Sequence, residues 1–367
     1  MRVLNEKQII DVLNGATILG GGGGGSISAG IDMLNTYKAK YGSPELTLIT
    51  PNEMEEGKYC AITAGMGSPL SIKGIDFSKF AINAYNYLKE VASEMEEPKE
   101  ISYCAGVELG GFNTFIPMLL SMMENKPFID ADGAGRAVPA LETLLLHVNG
   151  CNTSPCVMAN DKNDRVLIQT TDPKNAKLCE DIGRGVCVAM GMKAGLSGWI
   201  LDKSEVENKI ATMTITKTEE IGKMLQEIGP TDTSLFDKLD NARTLCVGTI
   251  TDIKAEVKGG FDYGETTIVD DKTGEEYLIK FVNENLVTYK KENGEFSPIV
   301  TVPEITTIYE QVSAKPLTNA DTFVGQKVVV GIIKASDEWW FTSEENVYSY
   351  WKTYLDVCEY KGKLIHF

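Results

Sequence analysis

Histidine is nearly absent. Only His147 and His366 occur in 367 residues. Neither stands at a metalloprotease spacing, and two are too few for a multi-histidine metal centre. Basic clusters are missing as well. With 35 Lys plus Arg against 52 Asp plus Glu, the net charge is −17, which argues against nucleic acid or an anionic membrane surface as a partner, since both require basic patches. No run approaches the roughly 20 apolar residues that span a bilayer. The longest apolar patch, FIPMLLSMM from Phe115, is broken by Pro and Ser and reads as a buried helix. The N-terminal segment MRVLNEKQIIDVLNG is an amphipathic helix pattern with early charges, so no secretory signal is expected. Internal repeats are lacking too. These absences leave acid/base chemistry to carboxylates, cysteines or backbone groups.

The 43% hydrophobic and 24% charged content is that of a globular protein, and the length suits two domains. Most of the eight cysteines lie inside apolar strings such as SYCAGV and GVCVAM. They read as buried free thiols in a reducing cytoplasm. Cys151 and Cys156 form the one close pair, and without a second pair or a nearby His they do not make a zinc site.

In residues 1–235, short apolar runs alternate with helical patterns, which predicts an α/β domain with three α/β/α layers and a mostly parallel sheet. Strands are expected at 46–50, 59–65, 101–107 and 127–132, all buried on both faces. A helix from Phe77 places Phe80, Ala81, Ala84, Tyr85 and Leu88 on one face. Further helices are expected at 3–14, 27–39, 113–124, 139–148, 174–191 and 216–228. Residues 236–340 show repeated β patterns, with DDKTGEE as a hairpin turn around Gly274, and predict a smaller β-barrel-like domain. The aromatic tail, 341–367, is expected to pack back on the first domain.

Four places can carry chemistry. The first is the run of six glycines from Gly20 to Gly25. Amides of Gly22, Gly23, Gly24 and Gly25 can converge on a carboxylate or oxyanion, with Ser26 capping the next helix; the plain alternative is a flexible linker. The second, GMGSPLS, puts Gly67 and Ser68 after a strand's carboxyl end, which suits either an ordinary turn or a ligand loop. In the third, Glu108 follows a buried strand and precedes Gly110, Gly111 and Asn113. That arrangement suits a general base, although Asn113 is also a natural N-cap. The fourth is PFIDADGAGRAVPALE. Asp130 and Asp132, two apart in a strand, project to one side and require a cation, a raised pKa or Arg136 nearby. Pro139 and Glu142 suit a first helical turn. The bland reading makes Asp132 a turn residue and Arg136 a surface charge.

Taken in order, GATILGGGGG, GMGSP, ELGGFNTFIP, DADGAGRAVPALE, KFVNENL and TVPEITTI resemble the S-methyl thiohydantoin desulfurase family, DUF917, over most of residues 10–335. Its members are often encoded beside hydantoinase or oxoprolinase subunits. The resemblance implies an α/β domain followed by a smaller β-barrel-like one, and a hydrolase that adds water to a thiohydantoin-type ring and releases a thiol. On that reading Glu108, Asp130 and Asp132 meet above the sheet and activate water, directly or through a divalent cation, for which a hard ion such as Mg²⁺ or Ca²⁺ suits carboxylate ligands. The glycine-run amides and Arg136 hold the substrate, and Asn283 and Glu284 approach from the β-rich part. The partners expected are a small cyclic amide or thiohydantoin, a hydantoinase-type protein and a second copy of the chain. The alternatives are a non-catalytic accessory or small-molecule-binding protein, and an enzyme acting on another cyclic amide. Cys104 is a conceivable nucleophile, but its apolar strand makes it a buried thiol.

Overall fold

The computed structural model describes residues 1–67, 76–229, 231–258 and 261–367. The alternating pattern of the first part resolves into β1 (Arg2–Leu4), α1 (Glu6–Leu19), α2 (Ile27–Tyr41), β2 (Leu46–Ile49), β3 (Lys58–Gly67), α3 (Ser78–Ser93), β4 (Glu100–Gly106), α4 (Phe115–Glu124) and β5 (Phe128–Asp132). There follow α5 (Leu145–Val148), β6 (Cys156–Ala159), β7 (Arg165–Ile168), α6 (Ala176–Ala189), β8 (Lys193–Leu201), α7 (Lys203–Lys209), β9 (Ala211–Thr212) and α8 (Thr214–Glu227). They form a nine-stranded sheet in the order β1-β2-β5-β4-β3-β8-β6-β7, with β9 on β5. Its centre, β2-β5-β4-β3, is parallel, and the strands added outside it are antiparallel.

Period-2 alternation makes the layers. Cys60, Ile62 and Ala64 of β3 join one core with Leu144 to Leu146 and Cys179, whereas Ala61 joins the other with Phe80, Ala81 and Leu119. Helix α3 buries Phe80, Ala81, Ala84, Tyr85 and Leu88, the face its spacing predicts. The helix expected at 139–148 does not form as one piece. A short 3₁₀ turn at Leu141–Thr143 precedes α5, and the amides of Val138 and Leu141 donate to the carboxylates of Glu108 and Glu180. Helices α1 and α8 cross backbone to backbone. A Cβ at Gly222 would lie 1.8 Å from the Asp11 carbonyl oxygen, and one at Gly15 1.9 Å from that of Thr218. This crossing fixes the direction in which α1 ends.

The second part contains β10 (Ala242–Lys258), β11 (Phe261–Asp270), β12 (Glu276–Val282), β13 (Glu284–Glu292), β14 (Glu295–Thr301), β15 (Ile305–Glu310), β16 (Pro316–Leu317) and β17 (Lys327–Ile333). They pair antiparallel in the order β14-β13-β12-β11-β10-β17-β15-β16. The hairpin at Gly274 forms, with φ +72° and the Asp270 carboxylate accepting from the amides of Lys272 and Thr273. The barrel-like expectation becomes an antiparallel sheet whose end strands, β14 and β16, do not pair among the described residues. The C-terminal helix α9 (Glu344–Val357) and the turn before it pack on the loop after β5: Trp339 Nε1 donates to the Ala134 carbonyl (3.0 Å) and Tyr354 Oη to Glu142 (2.9 Å). All eight cysteines are free and buried. Among the described residues no helix is long and apolar enough to cross a membrane.

Candidate functional site

Helix α1 delivers the glycine run into the space between the loop after β4 and the second sheet. The run is a packed junction there, not a loose linker. Gly21 O accepts from Asn285 N (2.8 Å), Gly22 O from Asn319 N (2.8 Å) and Gly24 O from Asn113 N (3.1 Å). Gly22 has φ +92°, a conformation open mainly to glycine, and a Cβ on Gly23 would lie 2.0 Å from Glu284 Oε1. Gly22, Gly23 and Gly24 are buried, Gly25 is exposed and Ser26 is half-buried. Ser26 caps α2 by accepting from Ala29 N (3.4 Å). The part of the run open to a ligand is therefore Gly25 and Ser26.

Two buried carboxyls border this junction. Glu108 follows β4, accepting from Val138 N at 2.7 Å through Oε2 and from Asn113 Nδ2 through Oε1. Burial pushes its carboxyl up to about 7, against the pull of those two donors. Glu284 opens β13 and lies against Gly23. Burial, with the Glu108 charge beside it, holds the Glu284 carboxyl well above the usual carboxylate range. Glu284 Oε2 and the neighbouring Asn285 Oδ1 are buried without a protein partner.

Arg136 lies beneath the pair, wholly buried, with its ring of donors spent on carbonyls. Nε donates to Ala137 O (2.9 Å), Nη1 to Pro303 O (2.9 Å) and Glu304 O (2.8 Å), and Nη2 to Asn285 O (3.2 Å). The guanidinium also faces Trp351 at 5.4 Å. Burial lowers it to about 10, while Glu284, Glu304 and Glu108 favour the cation, so it remains charged at neutral pH. The geometry gives Arg136 the work of tying the loop after β5 to the second sheet and neutralising the carboxyls, in place of the substrate contact expected of it.

The aspartates separate. Asp130 accepts from the amides of Ile215 (2.9 Å) and Thr216 (3.0 Å) and from the Thr216 hydroxyl, so it caps α8 and does not join Glu108. Asp132 is wholly buried. Its Oδ1 accepts from Ala134 N (2.8 Å) and Gly135 N (2.7 Å), and its Oδ2 has no partner. Its charge bears on Glu108, but it faces the loop it holds. Among the described residues no group of three or more His, Cys, Asp or Glu is placed to hold a metal ion, so Glu108, Asp130 and Asp132 do not come together as the cation ligands that were one of the two routes open to them.

Burial pushes the Asp132 carboxyl up to about 7, which has a consequence for stability. A carboxyl raised in the folded state costs stability as pH rises from its unfolded value, near 4, through about 7. Asp132→Asn keeps the oxygen that accepts from Ala134 and Gly135 and removes that cost. The variant is expected to be more stable than the parent by on the order of 3 kcal/mol above neutrality, with the gap closing in acid. Thermal unfolding across pH checks this, and a gap independent of pH would refute it.

The remaining candidates fall into place around this centre. Gly110 and Gly111 are crossing points, since a Cβ on Gly110 would lie 2.2 Å from Gly24 O and one on Gly111 2.5 Å from Ile27 N. Asn113 is not the cap of α4; Thr114 holds that position, and the Asn113 amide goes to Glu108. Asn283 has φ +57° and turns away, its Oδ1 accepting from Asp262 N (2.9 Å). Gly67 ends β3 opposite Lys193, and Ser68 lies outside the described residues. Reading the sequence missed Asn285 and Asn319, whose amides grip the glycine run. The available signal for Asn285 was a second amide side chain within NENL.

Fold and site together define a two-sheet α/β protein with a buried carboxyl pair held against a glycine junction. The chain belongs to the S-Me-THD-like family: its N-terminal domain matches residues 7–170 and its C-terminal domain residues 174–347, the family of S-methyl thiohydantoin desulfurase. The two matches meet within the first sheet, after β7. No curated protein matches the chain. The fold is similar to that in an X-ray crystal structure of a protein from Chromobacterium violaceum, with a TM-score of 0.86 and 19% identity over 100% of both chains.

Proposed function

We propose that the protein is a hydrolase acting on a thiohydantoin-type ring, adding water at the ring carbon that bears an S-methyl group and releasing methanethiol. The observation that carries this reading is the buried Glu108–Glu284 pair, with Glu108 raised to about 7 and Glu284 held well above the usual carboxylate range by burial and by the Glu108 charge. Two carboxyls sharing one dry site keep one proton between them near neutrality, which supplies a base and an acid together. Ionised Glu108 takes a proton from water as its oxygen bonds to the ring carbon. Protonated Glu284 gives its proton to sulfur as the C–S bond breaks and the neutral thiol leaves; the proton still on the added oxygen moves to the ring nitrogen to give the ring carbonyl and N–H, and the proton held by Glu108 passes back to Glu284. The unpartnered Asn285 Oδ1 is an acceptor for a ring N–H. The buried free cysteines support a cytoplasmic setting.

The test is incubation of the purified protein with an S-methyl thiohydantoin, following free thiol and the hydantoin product. Both are expected to accumulate in equal amounts over many turnovers. Substrate left intact by well-folded protein would overturn the proposal.

A further inference from the structure

Strand β10 outruns its neighbour. Its pairing with β17 ends at Thr249 opposite Lys327, while its pairing with β11 continues from Asp252 to Lys258. Over Asp252–Lys258 the chain is therefore an edge strand, paired only with β11, which in turn pairs with β12, and among the described residues nothing pairs with its other edge. The other two edges of this sheet are blunted: β14 contains Pro298, and β16 is only Pro316–Leu317. The β10 edge contains no proline and is exposed at most of its positions. Val257 is 78% exposed.

The sequence of this edge, Asp-Ile-Lys-Ala-Glu-Val-Lys, is complementary to itself when reversed. An antiparallel copy related by a two-fold axis at Ala255 sets Asp252 against Lys258, Lys254 against Glu256, and Ile253 against Val257. Every charged pair is then of opposite sign and on one face of the sheet, and every apolar pair is on the other. Lys254 already reaches Glu265 in its own hairpin (2.7 Å), whereas Glu256 and Lys258 have no ion-pair partner among the described residues. Lysines on an edge strand often serve to repel other strands. Here the alternation of sign turns the same residues into a match in one register, because a shift by one residue would oppose apolar to charged side chains.

We propose that the protein forms an isologous dimer by pairing two β10 edges at Asp252–Lys258, joining the two antiparallel sheets into one. The two-fold repeats each contact, so the Asp252–Lys258 and Lys254–Glu256 pairs each occur twice. The interface is independent of the proposed chemistry, since no residue of the carboxyl site takes part.

Sedimentation velocity of the full chain tests the proposal, with far-UV dichroism to verify folding. The parent protein is expected to be a dimer. Lys254→Glu with Lys258→Glu makes the charged face acidic throughout, and Asp252→Lys with Glu256→Lys makes it basic throughout. Each double variant alone is expected to be a monomer, with a dimer dissociation constant raised by at least about 100-fold; mixed in equal amounts they are expected to dimerise again. Val257→Asp, which alters no charge pair, is also expected to give a monomer. A monomeric parent, or a dimer that survives all three substitutions, would overturn the proposal.

Discussion

Glu108→Gln is expected to lower thiol release from an S-methyl thiohydantoin by about 10²–10⁴-fold, the range a general base contributes. Gln has the same shape, and its oxygen can still accept from Val138 N, so the fold is expected to persist. The pH profile separates a chemical role from a structural one. With Glu108 at about 7, the parent's rate rises with pH as the base ionises. At higher pH it falls as the carboxyl pair gives up its second proton; both apparent values belong to the pair. Glu108→Gln removes the rising limb. Glu284→Gln removes the falling limb, because its amide cannot deliver a proton to sulfur. Unchanged turnover in Glu108→Gln would take Glu108 out of the reaction.

Arg136→Met is expected to cost about 3–5 kcal/mol of stability, the loss seen when one partner of a buried charge network is removed. Methionine fits the space but leaves the carbonyls of Pro303, Glu304 and Asn285 without the donor that each now has. It also strips Glu108 and Glu284 of the cation that favours their charged forms. Set against a typical total of about 5–15 kcal/mol, the loss is large, and a fall in the urea midpoint measures it. Arg136→Lys keeps the charge but has a single nitrogen where the guanidinium serves four carbonyls, so a smaller loss is expected. In an Arg136→Met protein that stays active, the rising limb of the rate moves to higher pH, because the cation that lowers the Glu108 carboxyl is gone. A midpoint equal to the parent's in Arg136→Met would refute the tying role.

The elements most legible in the sequence are those whose pattern is local. β3, β4 and β5 lie where buried apolar runs place them, and α3 buries the five residues its period selects. Glu108 was legible as a carboxylate at a strand's carboxyl end. Asp130 misleads for a physical reason: strand alternation does put it on the side of Asp132, but the free amides at the start of α8 arrive from over 80 residues away and take its oxygens. Asn113 misleads likewise, since a buried Glu108 needs a donor more than α4 needs a cap.

By itself the sequence determined the chemistry available to this protein. A chain with two histidines leaves acid/base chemistry to carboxylates, cysteines or backbone groups, and six glycines in a row read as either an anion cradle or a linker. Only the tertiary structure decided which carboxyls are buried and raised above the usual range. A pKa follows from burial and from neighbouring charge, and the neighbours of Glu108 come from distant parts of the chain. Arg136 and Glu284 act on it only when the loop after β5 and β13 close on the loop after β4.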